Sequence, residues 1–217
     1  MSTIARTITY DEFDKAFDSF AKRAFRFEAL PFYDIEEEHE AFAAFKAGRP
    51  VELAAQKSWR TFLRECQRDA KTVERVRVIT EPLTDYLRFE WRYGYVPSMR
   101  AGELIYAIAA KQFGDTLADI PDFWLFDDHQ LIFLRYDEKG RFIEAAECTD
   151  ADTLATYVEL RDDLLRVAEF QQPPKRTVQK VGRSQIRVTA ERLPDIDVQK
   201  LAAQLVNLEL EQLNSSL

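Results

Sequence analysis

The 217-residue sequence predicts an α+β fold: an N-terminal helical layer packed on a mostly antiparallel sheet, with a C-terminal β-hairpin plus helix. Three observations carry this. Apolar residues recur at spacings of three and four through the first 72 residues, which is the helical period. From Asp122 onward, short apolar runs with polar connections form a meander. The stretch "QQPPKR" at 171–176 then divides a body, residues 1–172, from an appendage, residues 173–217.

The elements follow in order. "YDEFDKAFDSFAKRAFRFEAL" sets Phe13, Phe17, Phe20, Ala21, Ala24 and Phe25 in one helical stripe that Pro31 ends. "DIEEEHEAFAAFKAG" has Asp34 as N-cap, carboxylates in its first turn, and Gly48 and Pro50 as its stop. A third helix is expected over 53–71, burying Trp59, Phe62, Leu63 and Cys66. "VERVRVI" reads as a strand, and "PLTDYLRFEWRYGY" as a helix with Pro82 in its first turn. "GELIYAIA" is the next strand, and "DFWLFD", "HQLIFLRY" and "RFIEAAE" make the meander. Gly140 suits the tight turn of "DEKG" between the last two strands. A helix over 152–170 buries Leu154, Tyr157, Val158, Leu164, Leu165 and Ala168.

Beyond residue 172, "TVQKV" and "QIRVTA" read as a hairpin and "DVQKLAAQLVNLELEQLN" as an amphipathic helix. Val198, Leu201, Leu205 and Leu208 recur along that helix and are candidates for an interface. An appendage this short lacks material for an autonomous core, so it is expected to dock on the body, on a second copy or on another protein.

Four stretches together resemble a domain-of-unknown-function family common in actinobacteria. They are "AFRFEALPFYDIEEEHEAFAAFKAG", "RVRVITEPLTDYLRFEW", "GELIYAI" and "DFWLFDDHQLIFLRYDEKGRFIEAAE". The resemblance covers residues 10 to 170 and leaves the basic hairpin and last helix outside it. It implies a strand leading into a Glu-Pro-Leu-x-Asp-Tyr-x-Arg-Phe-Glu motif, a later Phe-Trp-Leu-Phe-Asp-Asp motif and a final helix. Such proteins are often encoded near helix-turn-helix regulators, which implies a regulatory setting. No activity comes with the resemblance. The motif residues Glu81, Asp85, Tyr86, Arg88, Phe89, Glu90, Trp124, Asp127 and Asp128 are scaffold, site or both.

Composition narrows the function. Apolar residues make up 46% and charged residues 31%, a globular balance, and the net charge of −8 disfavours a wholesale nucleic-acid binder. No leader or membrane span is apparent, and Cys66 and Cys148 show no Cys-x-x-Cys spacing, so a cytoplasmic protein with reduced thiols is expected.

Catalytic and metal chemistry lack their usual residues. His39 and His129 have no second His or Cys at ligand spacing, so no metal and no cofactor is expected. His39 belongs to an acidic face with Glu36, Glu37, Glu38 and Glu40. There is no Gly-x-Ser-x-Gly elbow, no phosphate-cradling glycine loop and no His-x-Lys pair.

Two polar constellations remain as ligand-binding candidates. On the "DYLRFEW" helix, Asp85, Arg88 and Arg92 share a face and Tyr86 lies beside them. Such a pair of arginines clamps a carboxylate or phosphate, or else ties the helix to the meander by ion pairs. Asp127 and Asp128 precede His129 between two strands, where alternation sends the two carboxylates in different directions. Turn capping explains them, and one of them meeting Arg88 or Arg92 would join both motifs in a single site.

Charge is also segregated. Residues 1–172 carry 23 basic and 33 acidic side chains, a net of −10, whereas 173–192 carries six basic and one acidic, a net of +5. Lys175, Arg176, Lys180, Arg183 and Arg187 alternate with Val and Ile, a pattern suited to a β-ribbon in a DNA groove or to docking on the acidic body. The leading expectation is a non-enzymatic regulatory or protein-interaction module, partnered by a transcription regulator or by itself as a homodimer. A small-ligand sensor or cryptic enzyme using Tyr86, Arg88, Arg92 and Asp127 is the alternative, and a DNA-contacting accessory protein is the third reading. No membrane partner is expected.

Overall fold

Residues 24–28 lie at the centre of an eight-stranded sheet, although their spacing continues the helical stripe that precedes them. The computed structural model describes residues 5–54, 56–112, 120–173, 177–181 and 185–189. The chain divides into two units, Met1–Gln171 and Gln172–Leu217.

The first unit begins with β1 (Ala5–Ile8), α1 (Tyr10–Ser19), β2 (Arg23–Glu28), α2 (His39–Lys46), α3 (Gln56–Arg68) and β3 (Thr72–Ile79). There follow α4 (Asp85–Phe89), a π-helical segment (Glu90–Tyr95), α5 (Val96–Ala101) and β4 (Leu104–Ala109). The meander is β5 (Asp122–Phe126), β6 (Gln130–Tyr136) and β7 (Phe142–Cys148), succeeded by α6 (Ala151–Val167) and the short β8 (Glu169–Phe170). Among the described residues, no helix is long and apolar enough to cross a membrane.

The class is the expected one, α+β with a mostly antiparallel sheet. Strand order is β1-β7-β6-β5-β2-β3-β4-β8, and among the described residues only the β2–β3 and β3–β4 pairs are parallel. The N-terminal region, however, is not purely helical. The helix expected over 10–30 stops at Ser19, and β2 takes over from Arg23. Within "RAFRFE", Phe25 and Phe27 face one side and Ala24, Arg26 and Glu28 the other, so a period of two is hidden inside spacings of three and four. The start of α1 is fixed by a capping box: Thr9 accepts from the Glu12 amide, and the Glu12 carboxylate accepts from the Thr9 amide.

Several boundaries differ in detail. Asp34 does not cap α2, which begins after a 3-10 turn at Glu36–Glu38; Asp34 Oδ1 instead lies 2.5 Å from His39 Nε2. Pro82 lies outside the helix it was expected to open, because Thr84 is the N-cap, accepting from the Leu87 amide. That helix is also not uniform, since its middle is π-helical. The last helix of the unit ends at Val167, and Glu169–Phe170 pair with Tyr106 and Ala107 on β4.

Helices cover both faces of the sheet. On one, Phe25, Phe27, Val76, Val78, Phe123, Leu125, Leu131 and Phe133 pack with Tyr157, Leu164 and neighbours on α6. On the other, Ala24, Val73, Trp124, Phe126, Ile132 and Leu134 pack with Phe17 of α1 and Trp59, Leu63 and Cys66 of α3. Cys66 and Cys148 are both free thiols. In the second unit, β9 (Thr177–Val181) and β10 (Gln185–Thr189) form the expected antiparallel hairpin. The helix expected beyond it lies outside the described residues.

Candidate functional site

Arg26 on β2 and Arg75 and Arg77 on β3 stand on the face of the sheet shared with α1 and α3. The parallel register sets Arg26 beside Arg75 and Glu28 beside Arg77, and residues two apart on a strand point the same way. Arg26 is 3% exposed and Arg77 fully buried. Burying a cation costs several kcal/mol unless its donors are met, so the surroundings of these guanidiniums decide whether the fold stands.

Four carboxylates meet them. Glu28 Oε1 accepts from Arg75 Nη1 and lies 3.3 Å from Arg26 Nε, while its Oε2 accepts from the Tyr95 hydroxyl at 2.7 Å. Asp122 accepts from Arg26 Nη2 at 2.9 Å, from the Tyr33 hydroxyl at 2.6 Å and from the Ala29 amide at 3.0 Å. Glu103 accepts from Arg75 Nε at 2.8 Å and from the Trp59 indole at 3.1 Å. Glu90 accepts from Arg77 Nη2 at 3.1 Å, and the carbonyl of Leu30 accepts from Arg77 Nη1 at 2.5 Å. The guanidiniums of Arg77 and Arg75 also lie over the rings of Tyr33 and Tyr95.

The π-helical segment explains how Glu90 and Tyr95 both reach this layer. Its hydrogen bonds run from residue i to i+5, which stacks Tyr95 over Glu90, whereas an ordinary helix pairs Glu90 with Gly94. Burial works against the charge of Arg26, but Tyr136, Asp122 and Glu28 more than offset it and hold its pKa above the ordinary value. Burial likewise opposes the Glu28 carboxylate, and Arg75, Arg26 and Arg77 overcome it, holding it well below the usual range. For Asp122 burial prevails and the pKa is raised. Burial also prevails at Glu90, with Glu28 adding repulsion against the pull of Arg77, and its carboxyl is pushed up to about 7. Arg26 Nη1, Arg77 Nε and Gln56 Oε1 are buried without a hydrogen-bond partner among the described residues.

The layer connects to the surface through aromatic rings. Tyr136, whose hydroxyl accepts from Arg26 Nη2 at 3.2 Å, has ring centroids 5.1 Å from Tyr33 and 5.9 Å from Phe142. Phe142 is 53% and Ile143 54% exposed, and Phe32 and Ile35 are also exposed. The 32–34 segment is tied to the β6–β7 turn, since the Asp34 amide donates to the Gly140 carbonyl at 2.9 Å. Gly140 has φ 76°, and a Cβ there would lie 2.6 Å from the Phe32 carbonyl oxygen, so both conformation and space require glycine.

The ligand-binding candidates are not gathered in one place. Tyr86 is buried and donates its hydroxyl to Glu38 at 3.1 Å, which belongs to neither aspartate turn nor arginine clamp. Arg88 and Arg92 are exposed, and Arg92 lies over the Tyr93 ring. Asp127 and Asp128 both have positive φ, 47° and 62°, in a hairpin turn closed by the His129 amide on the Phe126 carbonyl. Asp127 accepts from the amides of Ala21, Lys22 and Arg23, and those bonds outweigh partial burial and lower its pKa. Asp128 pairs with Arg161 of α6. The two carboxylates thus act as expected of turn residues, and instead of either meeting Arg88 or Arg92 they form two separate anchors, one binding the α1–β2 connection and the other α6.

Beside the second anchor, Glu74 of β3 lies 3.4 Å from Arg23 Nε, and its Oε2 has no hydrogen-bond partner among the described residues. Of the nucleic-acid candidates, Lys175, Arg176 and Arg183 lie outside the described residues. Lys180 and Arg187 fall on the backbone of β9 and β10, where they pair with Ile186 and Gln179. The interface candidates Val198, Leu201, Leu205 and Leu208 also lie outside the described residues.

Arg26, Glu28, Arg75, Arg77, Glu103 and Asp122 form a buried polar assembly that no motif or spacing in the sequence marks as a site. The available signal was the charge on alternate positions of two neighbouring strands, "RFE" and "ERVRV", which resembles a solvated face. The family model for the domain of unknown function DUF6879 matches residues 11–171, and the chain belongs to that family. No curated protein matches the chain.

Proposed function

We propose that this DUF6879 member is a non-enzymatic protein-interaction module that accepts an extended strand along the open edge of β7, and that the strand comes from a second copy of the chain. One observation carries the reading. β1 pairs with Ala145–Cys148 of β7, and among the described residues nothing pairs with the outer edge of Phe142–Glu144, where Phe142 and Ile143 are half exposed. Unpaired strand edges with exposed apolar side chains are templates for strand addition.

Self-pairing suits this short edge. An antiparallel two-fold centred on Ile143 sets it opposite Ile143 of the partner subunit and sets Phe142 opposite Glu144, so no like charges face each other. A helix-turn-helix regulator, the neighbour that the family resemblance implies, is the competing occupant of the same edge. The basic hairpin supports the DNA reading only through its composition.

Light scattering tests the proposal. The wild-type chain is expected at twice the chain mass, and Ile143→Lys, which places like charges across the two-fold, at the monomer mass. A wild-type chain that stays monomeric at about 100 μM would sink self-pairing, because any association stronger than about 5.5 kcal/mol would populate the dimer there.

A further inference from the structure

We infer that the buried arginine layer carries one exchangeable proton, seated on Glu90, and that its release lowers the stability of the fold. The first argument is stoichiometric. Arg26, Arg75 and Arg77 are permanent cations, and four carboxylates (Glu28, Glu90, Glu103 and Asp122) meet them. A closed site with one surplus negative charge is costly, and one bound proton makes it neutral.

The second argument is the distribution of donors. Glu28 has Arg26, Arg75 and Tyr95; Asp122 has Arg26, Tyr33 and the Ala29 amide; Glu103 has Arg75 and the Trp59 indole. Glu90 has Arg77 and a share of the Tyr95 hydroxyl whose short bond goes to Glu28. The groups acting on Glu90 are Glu28 from β2, Arg75 and Arg77 from β3, Tyr86 from α4 and Tyr95 from its own segment.

The third argument is an acceptor in need of a donor. A Cβ on Gly94 would lie 3.8 Å from both the Gln56 amide nitrogen and Glu90 Cγ, so the two side chains converge there. Gln56 Oε1 is buried with no donor among the described residues, so a protonated Glu90 adds a donor to a neighbourhood that holds an unmet acceptor. Burial raises the Glu90 carboxyl from 4.5 to about 7, in keeping with this geometry. With the folded pKa above the unfolded one, the folded chain holds the extra proton between those values. The stability it contributes is complete below pH 4.5 and is lost as pH rises through 7.

The test compares the pH dependence of Tm for wild type and Glu90→Gln, a neutral isostere. Between pH 5 and 8 the wild-type Tm is expected to fall more than that of the variant, by on the order of 5 °C. Contributions from Glu38 and Glu74, whose carboxyls burial also raises and which stand outside the four carboxylates of the layer, cancel in the difference. Identical pH slopes would overturn the inference. Should Glu90→Gln fail to fold, the assigned Glu90 carboxyl carbon of the wild-type chain is titrated by NMR. A midpoint near 7 supports the proposal, and one below about 5.5 overturns it.

Discussion

On β2, Phe25 and Phe27 face α6 while Arg26 and Glu28 face the opposite helical layer, and β3 repeats the division with Val76 and Val78 against Arg75 and Arg77. Both faces are closed to water, yet they are held by different physics. The α6 face gains about 25 cal/mol for each Å² of apolar surface it removes from water, a contribution nearly independent of orientation. Such a face tolerates exchanges of similar volume at about 1 kcal/mol. The arginine face recovers a desolvation cost of several kcal/mol per ion only if every partner is in place. Its stability is therefore close to all-or-none, and its geometry is fixed by Tyr33, Tyr95 and Trp59 as much as by the charges. The α6 face, like the aromatic cluster under α1 and α3, provides bulk stability, and the arginine layer beside that cluster provides a defined arrangement that reacts to a single lost contact.

The largest effect expected from this contrast is at Arg77. Arg77→Met keeps the length of the side chain but takes the guanidinium from Glu90 and the donor from the Leu30 carbonyl, leaving Glu28, Glu90 and Asp122 with one cation fewer. A loss of about 3–5 kcal/mol is expected. Phe27→Leu, at a position just as buried on the other face, is expected to cost about 1 kcal/mol. Urea midpoints at constant m measure both, and a smaller loss for Arg77→Met than for Phe27→Leu would break the comparison.

A double-mutant cycle sharpens it. Arg77→Met and Glu90→Gln touch the same Arg77–Glu90 contact, so their effects are expected to fall short of additivity by about 1–3 kcal/mol. Arg77→Met with Leu164→Ala, which sits in the α6-side cluster, is expected to add within about 0.5 kcal/mol. Additivity in the first pair would mean that the ionic layer acts as separate contacts.

The same contrast sets what could be read from the sequence. The meander, the turn at Asp127–Asp128 and the strand "VERVRVI" were legible because each carries its own local signal of alternation, turn carboxylates or β-branched residues. β2 was hidden because Phe20, Ala24 and Phe25 extend the helical spacing of α1. The arginine layer was hidden for another reason. Alternation assigns Arg75 and Val76 to opposite faces without saying which face is wet, and that depends on which strands and helices arrive from elsewhere. On "DYLRFEW", helical spacing of three and four groups Asp85, Arg88 and Arg92 on one face. Arg88 and Arg92 are exposed, and the π-helical register from Glu90 brings Tyr95 to the face that Glu90 occupies. No local rule predicts that register.

Glu74 offers the finest test, because it is an acid on the apolar side. It is 5% exposed, lies 3.4 Å from Arg23 and has one oxygen without a hydrogen bond among the described residues. Burial raises its pKa, with Arg23 and Arg161 pulling the other way, so its charge gains less from its partners than desolvation removes. Arg161 retains Asp128 and Asp162 without it. Glu74→Gln is therefore expected to change stability at pH 7 by less than about 1 kcal/mol, read from the same urea midpoints. The raised pKa also sets the sign of any pH effect: the Glu74 contribution is present at low pH and lost as pH rises, so the variant gains on wild type toward alkaline pH. A loss of about 3 kcal/mol would show that ion pairing is as indispensable beneath α6 as around Arg77, and the division between the faces would then be one of composition alone.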